Sequence, residues 1–180
     1  MRIAFTGKKN SGKTSSAKFI PRCWLYNLAE PLKGALISGL ASEGLPYDTQ
    51  DFYSARKSPK SRTLMQALGE YLRSKDPLVF IRAFQRELEE SEFDDEYNPN
   101  QPIVIDDCRY LNEEEHLRKM GFKIVRVIRP GFKGDDHKSE TEQDGIVADY
   151  QIVNDGSLDE LRASVKRMLQ CLQDSNSKKS

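Results

Sequence analysis

Neither sign of charge prevails in this sequence of 180 residues, where 28 Lys and Arg face 28 Asp and Glu. A neutral chain has no global pull toward nucleic acid or a membrane surface, so any anion site must be a local cluster of positive groups. Cysteine is scarce: Cys23, Cys108 and Cys171 are odd in number and widely scattered. That argues against a disulfide framework and for a reducing compartment. The two histidines, His116 and His137, lie far apart, and no cysteine spacing fits zinc, so a protein-held transition metal is not expected. No apolar run reaches transmembrane length, and the opening MRIAFTG lacks a signal-peptide layout. The default expectation is a cytoplasmic protein whose partners are neither nucleic acid nor membrane. There is no internal repeat.

What is present is an alternation of strand-like and helix-like segments. RIAF, CWLYNLA, PIVID, KIVRVIR and DYQIVN are short and mostly apolar, as buried strands are. Helical patterns cover 11–19, 31–43, 61–73 and 77–90, and a further one starts at Asn112 with Glu115 in capping-box spacing. The last runs from Ser157, with Glu160 three residues on, and puts Leu158, Leu161, Val165, Met168, Leu169 and Leu172 on one face. Residues 44–60 read as a mobile loop, 91–101 as an acidic surface loop, and DSNSKKS as a tail with nothing to bury. The alternation predicts an α/β fold: a central parallel sheet covered by helices on both faces. Ligands of such sheets sit beyond the carboxyl ends of the strands. The loop after RIAF, the end of PIVID and the polar segment after KIVRVIR all leave strands at that edge.

Residues 7–14 read GKKNSGKT, the P-loop pattern of Gly, four residues, then Gly-Lys-Thr. Gly7 and Gly12 permit backbone angles that other residues resist, so the amides of the loop, Asn10, Ser11 and Ser15 included, can turn toward an anionic oxygen. The helix that follows adds its unpaired amides. Lys13 is placed to reach β- and γ-phosphates, and Thr14 to hold Mg²⁺ through its hydroxyl. A nucleoside triphosphate site also needs a carboxylate for its metal. PIVIDD supplies Asp106 and Asp107 at the end of an apolar strand, and which acid serves the metal and which the acceptor stays open.

RTLMQALGEYLR narrows the chemistry. On a helix, Arg62, Gln66, Gly69 and Arg73 fall within a stripe roughly 60° wide at about 100° per residue, leaving Leu64, Leu68 and Leu72 for the other side. Two guanidinium groups, an amide and a missing side chain suit an incoming phosphate and its base. An ordinary solvated helix face is the plain alternative.

Taken in order, GKKNSGKT, EPLK at 30–33, RTLMQALGEYLR, VIDDCRYLNE at 104–113, HKSE at 137–140 and DYQIVNDGSLDEL at 149–161 resemble the bacteriophage deoxynucleoside monophosphate kinases. These belong to the nucleoside monophosphate kinase branch of P-loop proteins. The resemblance runs from about Met1 to Met168. It implies transfer of the ATP γ-phosphoryl to a deoxynucleoside 5′-monophosphate, with ATP and Mg²⁺ as cofactors and small nucleotides as partners. A homodimer stays open. Carried over by position, Gly12, Lys13 and Thr14 serve ATP and Mg²⁺, with Asp106 on the metal. Lys33, Arg62, Gln66, Arg73, Asp106 and Arg109 line the acceptor side, and Gly69 and Asp107 are further substrate-binding candidates. Arg129, Lys133 and His137 belong to a lid, and Lys13, Arg73, Asp106, Arg109 and Arg129 carry the catalysis. The domain reading that follows is one P-loop kinase domain over 1–172, with a monophosphate-binding region at about 44–91, a lid at about 130–145, and a disordered tail at 173–180. Two departures stand out: Glu30 replaces the more common Asp, and the lid has few arginines. A kinase of another small acceptor, such as dephospho-coenzyme A, and a non-kinase ATPase or switch are the rival readings.

Overall fold

The computed structural model describes residues 1–54, 57–91, 98–131 and 142–177, with side chains up to Asp174. Lys133, His137 and the last three tail residues lie outside the described residues. The chain divides into two compact units, one of Met1–Tyr26 with Asn98–Ser180, the other of Asn27–Tyr97.

The first unit is built on five strands: β1 (Arg2–Thr6), β2 (Trp24–Tyr26), β3 (Ile103–Ile105), β4 (Lys123–Ile128) and β5 (Tyr150–Val153). They lie in the order β2-β3-β1-β4-β5, and every neighbouring pair is parallel. All five match the strand-like runs of the sequence. The first strand is thus central, between β3 and β4, and Ile3, Ala4 and Phe5 are fully buried. That sealing of both faces explains why the run has no polar alternation. On one face Ile3, Phe5, Val104, Val125, Val127 and Ile152 meet Ala17 and Ile20 at and just beyond α1 (Lys13–Lys18), and Leu161, Val165, Met168 and Leu172 of α7 (Leu158–Ser177). Each fully buried aliphatic side chain contributes about 1.5–3 kcal/mol. α6 (Leu111–Lys119) packs on β4.

The second unit holds α2 (Glu30–Ser42), α3 (Thr49–Tyr53), α4 (Pro59–Lys75) and α5 (Val79–Ser91). α2 packs against α3 and α4.

Three local expectations change and a fourth holds. The stretch 44–60 is not all loop, because it contains α3. The Asp48 carboxylate accepts the Gln50 N–H at 2.9 Å, Phe52 is 2% exposed, and Asp51 takes both the N–H and the hydroxyl of Ser58 at 2.6 Å. A cap, a buried ring and a clasp suffice to order five residues. α6 begins at Leu111, not at an Asn112 cap. Glu113 accepts the N–H groups of Arg109 (3.0 Å) and Tyr110 (3.2 Å), while Glu115 pairs with Lys119 at 2.7 Å on the exposed face. The Ser157–Glu160 box forms as expected, with the Ser157 N–H on Glu160 at 2.6 Å, although Leu158 is exposed. Finally α7 runs on to Ser177, so residues 173–177 of the expected tail are helical: once a helix is anchored by its buried face, each further residue adds a backbone bond at little cost.

Candidate active site

β1 delivers the chain directly into the glycine-bounded loop. Gly7 has φ 135° and Gly12 φ 106°, both outside the range that side chains favour. A Cβ on Gly7 would stand 2.2 Å from the carbonyl oxygen of Val127 on β4, and one on Gly12 would stand 2.5 Å from Asn154 Nδ2. Asn10 is also left-handed, at φ 61°, a conformation that asparagine tolerates better than most residues. The loop is thus a tight bend pressed against its neighbours, which only glycine permits at 7 and 12.

Several of the candidate site residues hang from this bend. Lys13 is 7% exposed, and its ammonium donates to the carbonyls of Gly7 (2.5 Å) and Lys8 (2.8 Å). Thr14 Oγ1 donates to Asp106 Oδ2 at 2.6 Å, joining the end of the loop to the end of β3 across 92 positions of sequence. Asp106 is only 5% exposed, and Asp107 beside it is buried too. Among the described residues, Ser11 Oγ is buried with no hydrogen-bond partner, which suits a visiting acceptor or donor atom. Ser15 is half-buried on α1.

Two side chains that the sequence reading did not single out also touch the loop. Gln143 Oε1 accepts the N–H of Gly7 at 3.2 Å, and Asn154 Nδ2 donates to the Ser11 carbonyl at 2.7 Å. Gln143 lies in a 3₁₀ turn, Glu142–Gly145, where the neighbouring Asp144 pairs with Lys8 at 2.7 Å. Two of the last four residues of the expected lid, Gln143 and Asp144, are therefore bonded to the phosphate loop. Nothing in the local pattern EQDG separates a buried glutamine from a loop one, because its partners are remote in sequence.

Arg109 is half-buried in the turn after β3, and Arg129 is exposed one residue beyond β4. Cys108 is fully buried, and burial, with the charges of Glu113 and Asp107 added, holds its thiol well above the usual range. It is a packing residue and not a nucleophile.

The remaining predicted residues belong to the helical unit. On α4 the stripe of Arg62, Gln66, Gly69 and Arg73 is turned toward cover: Gly69 is buried and the other three are half-buried. Leu64, expected to pack inward, is 44% exposed. The reason is steric. A Cβ on Gly69 would lie 3.5 Å from Leu32 of α2, so that polar side of the helix is the one facing its neighbour. The Arg73 guanidinium stacks 4.5 Å from the ring centroid of Phe80 and would sit 3.1 Å from a Cβ on Gly69. Near the start of α2, Lys33 is buried and pairs with Glu30 at 2.9 Å, and Tyr53 donates to the other oxygen of Glu30 at 2.6 Å. Burial pushes the Glu30 carboxyl upward, but the Tyr53 hydroxyl and the Lys33 ammonium outweigh it and hold the group ionised below its ordinary value. Longer than aspartate by one methylene, Glu30 serves both partners at once.

A central strand entering a Gly-bounded loop, a Lys and Thr at its far end, and a carboxylate from the adjacent strand bonded to that Thr define a protein of the P-loop NTPase fold. The chain belongs to the deoxynucleotide monophosphate kinase family, whose profile matches residues 48–165. A mimivirus protein (Acanthamoeba polyphaga mimivirus), described provisionally as a deoxynucleotide monophosphate kinase, is 28% identical over 91% of this chain and 93% of its own length. The deoxynucleotide monophosphate kinase of Enterobacteria phage T4 is 34% identical over 62% of this chain, which spans only 46% of the phage protein. Among solved structures, shikimate kinase of Aquifex aeolicus vf5 aligns over 98% of both chains at 19% identity, with a TM-score of 0.45. This distant likeness adds nothing to what the strand order and the loop already establish.

Proposed function

We propose that the chain moves the γ-phosphoryl group of ATP onto the 5′-phosphate of a deoxynucleoside monophosphate, releasing ADP and the diphosphate. Family membership supports the acceptor class. The observation that carries the donor site is the 2.6 Å bond between Thr14 and Asp106, which ties the loop to a buried carboxylate. Lys13 is already inside the loop, and exchanging the Gly7 and Lys8 carbonyls for phosphate oxygens brings its charge onto the polyphosphate.

Thr14 and Asp106 fit a hard divalent cation. Both offer oxygen, and magnesium takes one or two protein ligands and completes its shell with phosphate and water. Bound there, Mg²⁺ would neutralise charge on the phosphate oxygens.

The acceptor phosphate is an oxyanion near neutral pH, so no strong base is needed. Catalysis is positioning plus neutralisation of charge in the transition state. In this proposal Lys13, Arg73, Arg109 and Arg129 supply positive charge. Lys33, Arg62, Gln66, Gly69 and Asp107 receive the acceptor, with Glu30 and Tyr53 holding Lys33 in place.

The test is direct. The protein is incubated with ATP, Mg²⁺ and each deoxynucleoside monophosphate in turn, and diphosphate is separated and counted. The expected result is diphosphate from at least one acceptor, lost in Lys13→Ala. ADP formed equally well without acceptor moves the chain to the ATPase class and ends the kinase reading.

A further inference from the structure

Two amide side chains grip the phosphate loop from outside, and no step of the proposed transfer uses them. Gln143 is 0% exposed, and its Oε1 is occupied by the N–H of Gly7, the first residue of the loop. Its backbone oxygen accepts Arg126 Nη2 at 3.0 Å, so the turn that carries it is itself tied to β4. At the other end Asn154 Nδ2 holds the carbonyl of Ser11. Asn154 is fixed in turn by its backbone N–H on Ile128 O at 2.7 Å, just past the ends of β4 and β5. Both anchors therefore rest on the sheet, and they act with opposite polarity: one accepts and the other donates.

Gly12 belongs to the same arrangement. A side chain there would strike Asn154 Nδ2 at 2.5 Å, so the glycine leaves room for the clamp as well as for the left-handed backbone.

We propose that Gln143 and Asn154 are positioning residues that hold the two ends of the phosphate loop, Gly7 and Ser11, in the conformation that receives the donor triphosphate. This rests on the kinase reading above for its ligand, but the clamp itself can be read without any ligand. Small displacements at such a site are costly, since a shift of about 1 Å can cost on the order of 10²-fold in rate.

The test exploits the polarity. Gln143→Glu keeps an accepting oxygen, whereas Asn154→Asp removes the donor and sets a carboxylate against a carbonyl. Both add one negative charge, so each controls for the other. We expect Asn154→Asp to raise KM for ATP by about tenfold or more, with KM for the monophosphate within about twofold. Gln143→Glu, which keeps the accepting oxygen, should raise KM for ATP by less than Asn154→Asp does, and Gln143→Leu should behave like Asn154→Asp. Amide hydrogen exchange at Gly7, followed by NMR without nucleotide, should be slow in the parent and in Gln143→Glu and faster in Gln143→Leu.

Equal effects of the two isosteric acids would show that the added charge, and not the loss of the Asn154 donor, weakens ATP binding, and would overturn the proposal. So would parent-like ATP binding in both Asn154→Asp and Gln143→Leu. Should the parent bind no ATP at all, the kinase reading fails separately. The clamp is then judged on Gly7 exchange alone, and unchanged exchange in Gln143→Leu refutes it.

Discussion

Gly7→Ala is the sharpest single perturbation of this structure, and Gly121→Ala is its natural control. Both glycines have positive φ, 135° and 84°. Around Gly121, which follows α6, an added Cβ meets no atom of the described residues within 4 Å, so alanine there faces chiefly backbone strain. That strain is about 1–2 kcal/mol. At roughly 2–4 °C per kcal/mol for a chain of this size, the melting temperature falls by a few degrees. At Gly7 the φ lies beyond the left-handed well altogether, and the Cβ would stand 2.2 Å from Val127 O. Real Cβ atoms do not approach a backbone oxygen so closely, and Val127 cannot yield because β4 is hydrogen-bonded on both sides. The loop must move by about 1 Å instead, which loosens the Gly7–Gln143 bond and shifts Lys13. The expected cost is about 3 kcal/mol or more, from strain and a stranded buried N–H together. Thermal denaturation and ATP titration of the two variants check this. A Gly7→Ala protein that melts no lower than Gly121→Ala, and still binds ATP as the parent does, refutes the reasoning.

Asp106→Asn keeps an oxygen for Thr14 but removes the charge, so turnover at saturating nucleotide should fall by about 10²-fold or more while melting changes little; steady-state assays over a range of Mg²⁺ concentrations decide it. Phe52→Ala removes the one buried ring of α3 and should cost about 3–5 kcal/mol, seen in chemical denaturation. Asp149 gives an acid-side prediction. Burial pushes its carboxyl upward, but the Ile124 N–H at 2.8 Å and the Arg118 guanidinium at 2.8 Å prevail and hold it below its ordinary value. Because the folded-state value is the lower one, its stabilisation is complete above the unfolded value, about 3.9, and is lost as pH falls through the folded value. Asp149→Asn should therefore flatten the acid limb of a stability-against-pH curve; an unchanged limb counts against the role.

How much of this was legible beforehand depends on how far each signal reaches along the chain. β1 and the loop after it declare themselves locally, because both the buried strand and the glycine angles are short-range requirements. The Thr14–Asp106 pairing was partly legible, since each residue ends a recognisable motif, although the bond between them needed the β1–β3 neighbourhood. α3 was hidden, as Gly, Pro, Ser and Asp nearby argue for loop, and only the burial of Phe52 and the Asp51–Ser58 clasp reverse that. Leu64 misled because hydrophobicity usually marks the inner side of a helix, whereas in α4 the close approach of Leu32 to Gly69 turns the arginine-bearing side inward. Gln143 was beyond reach for another reason: its partners, Gly7 and Arg126, lie 136 and 17 positions away.

The Lys13 ammonium, strapped across to the Gly7 and Lys8 carbonyls, braces its loop from within as a strut braces an arch. An arch that keeps its shape before loading need not be rebuilt when the load arrives. Under the proposed function, capture of a nucleotide would exchange two bonds at a ready-made receptor, and association would be governed by encounter and not by a slow reordering of the bend.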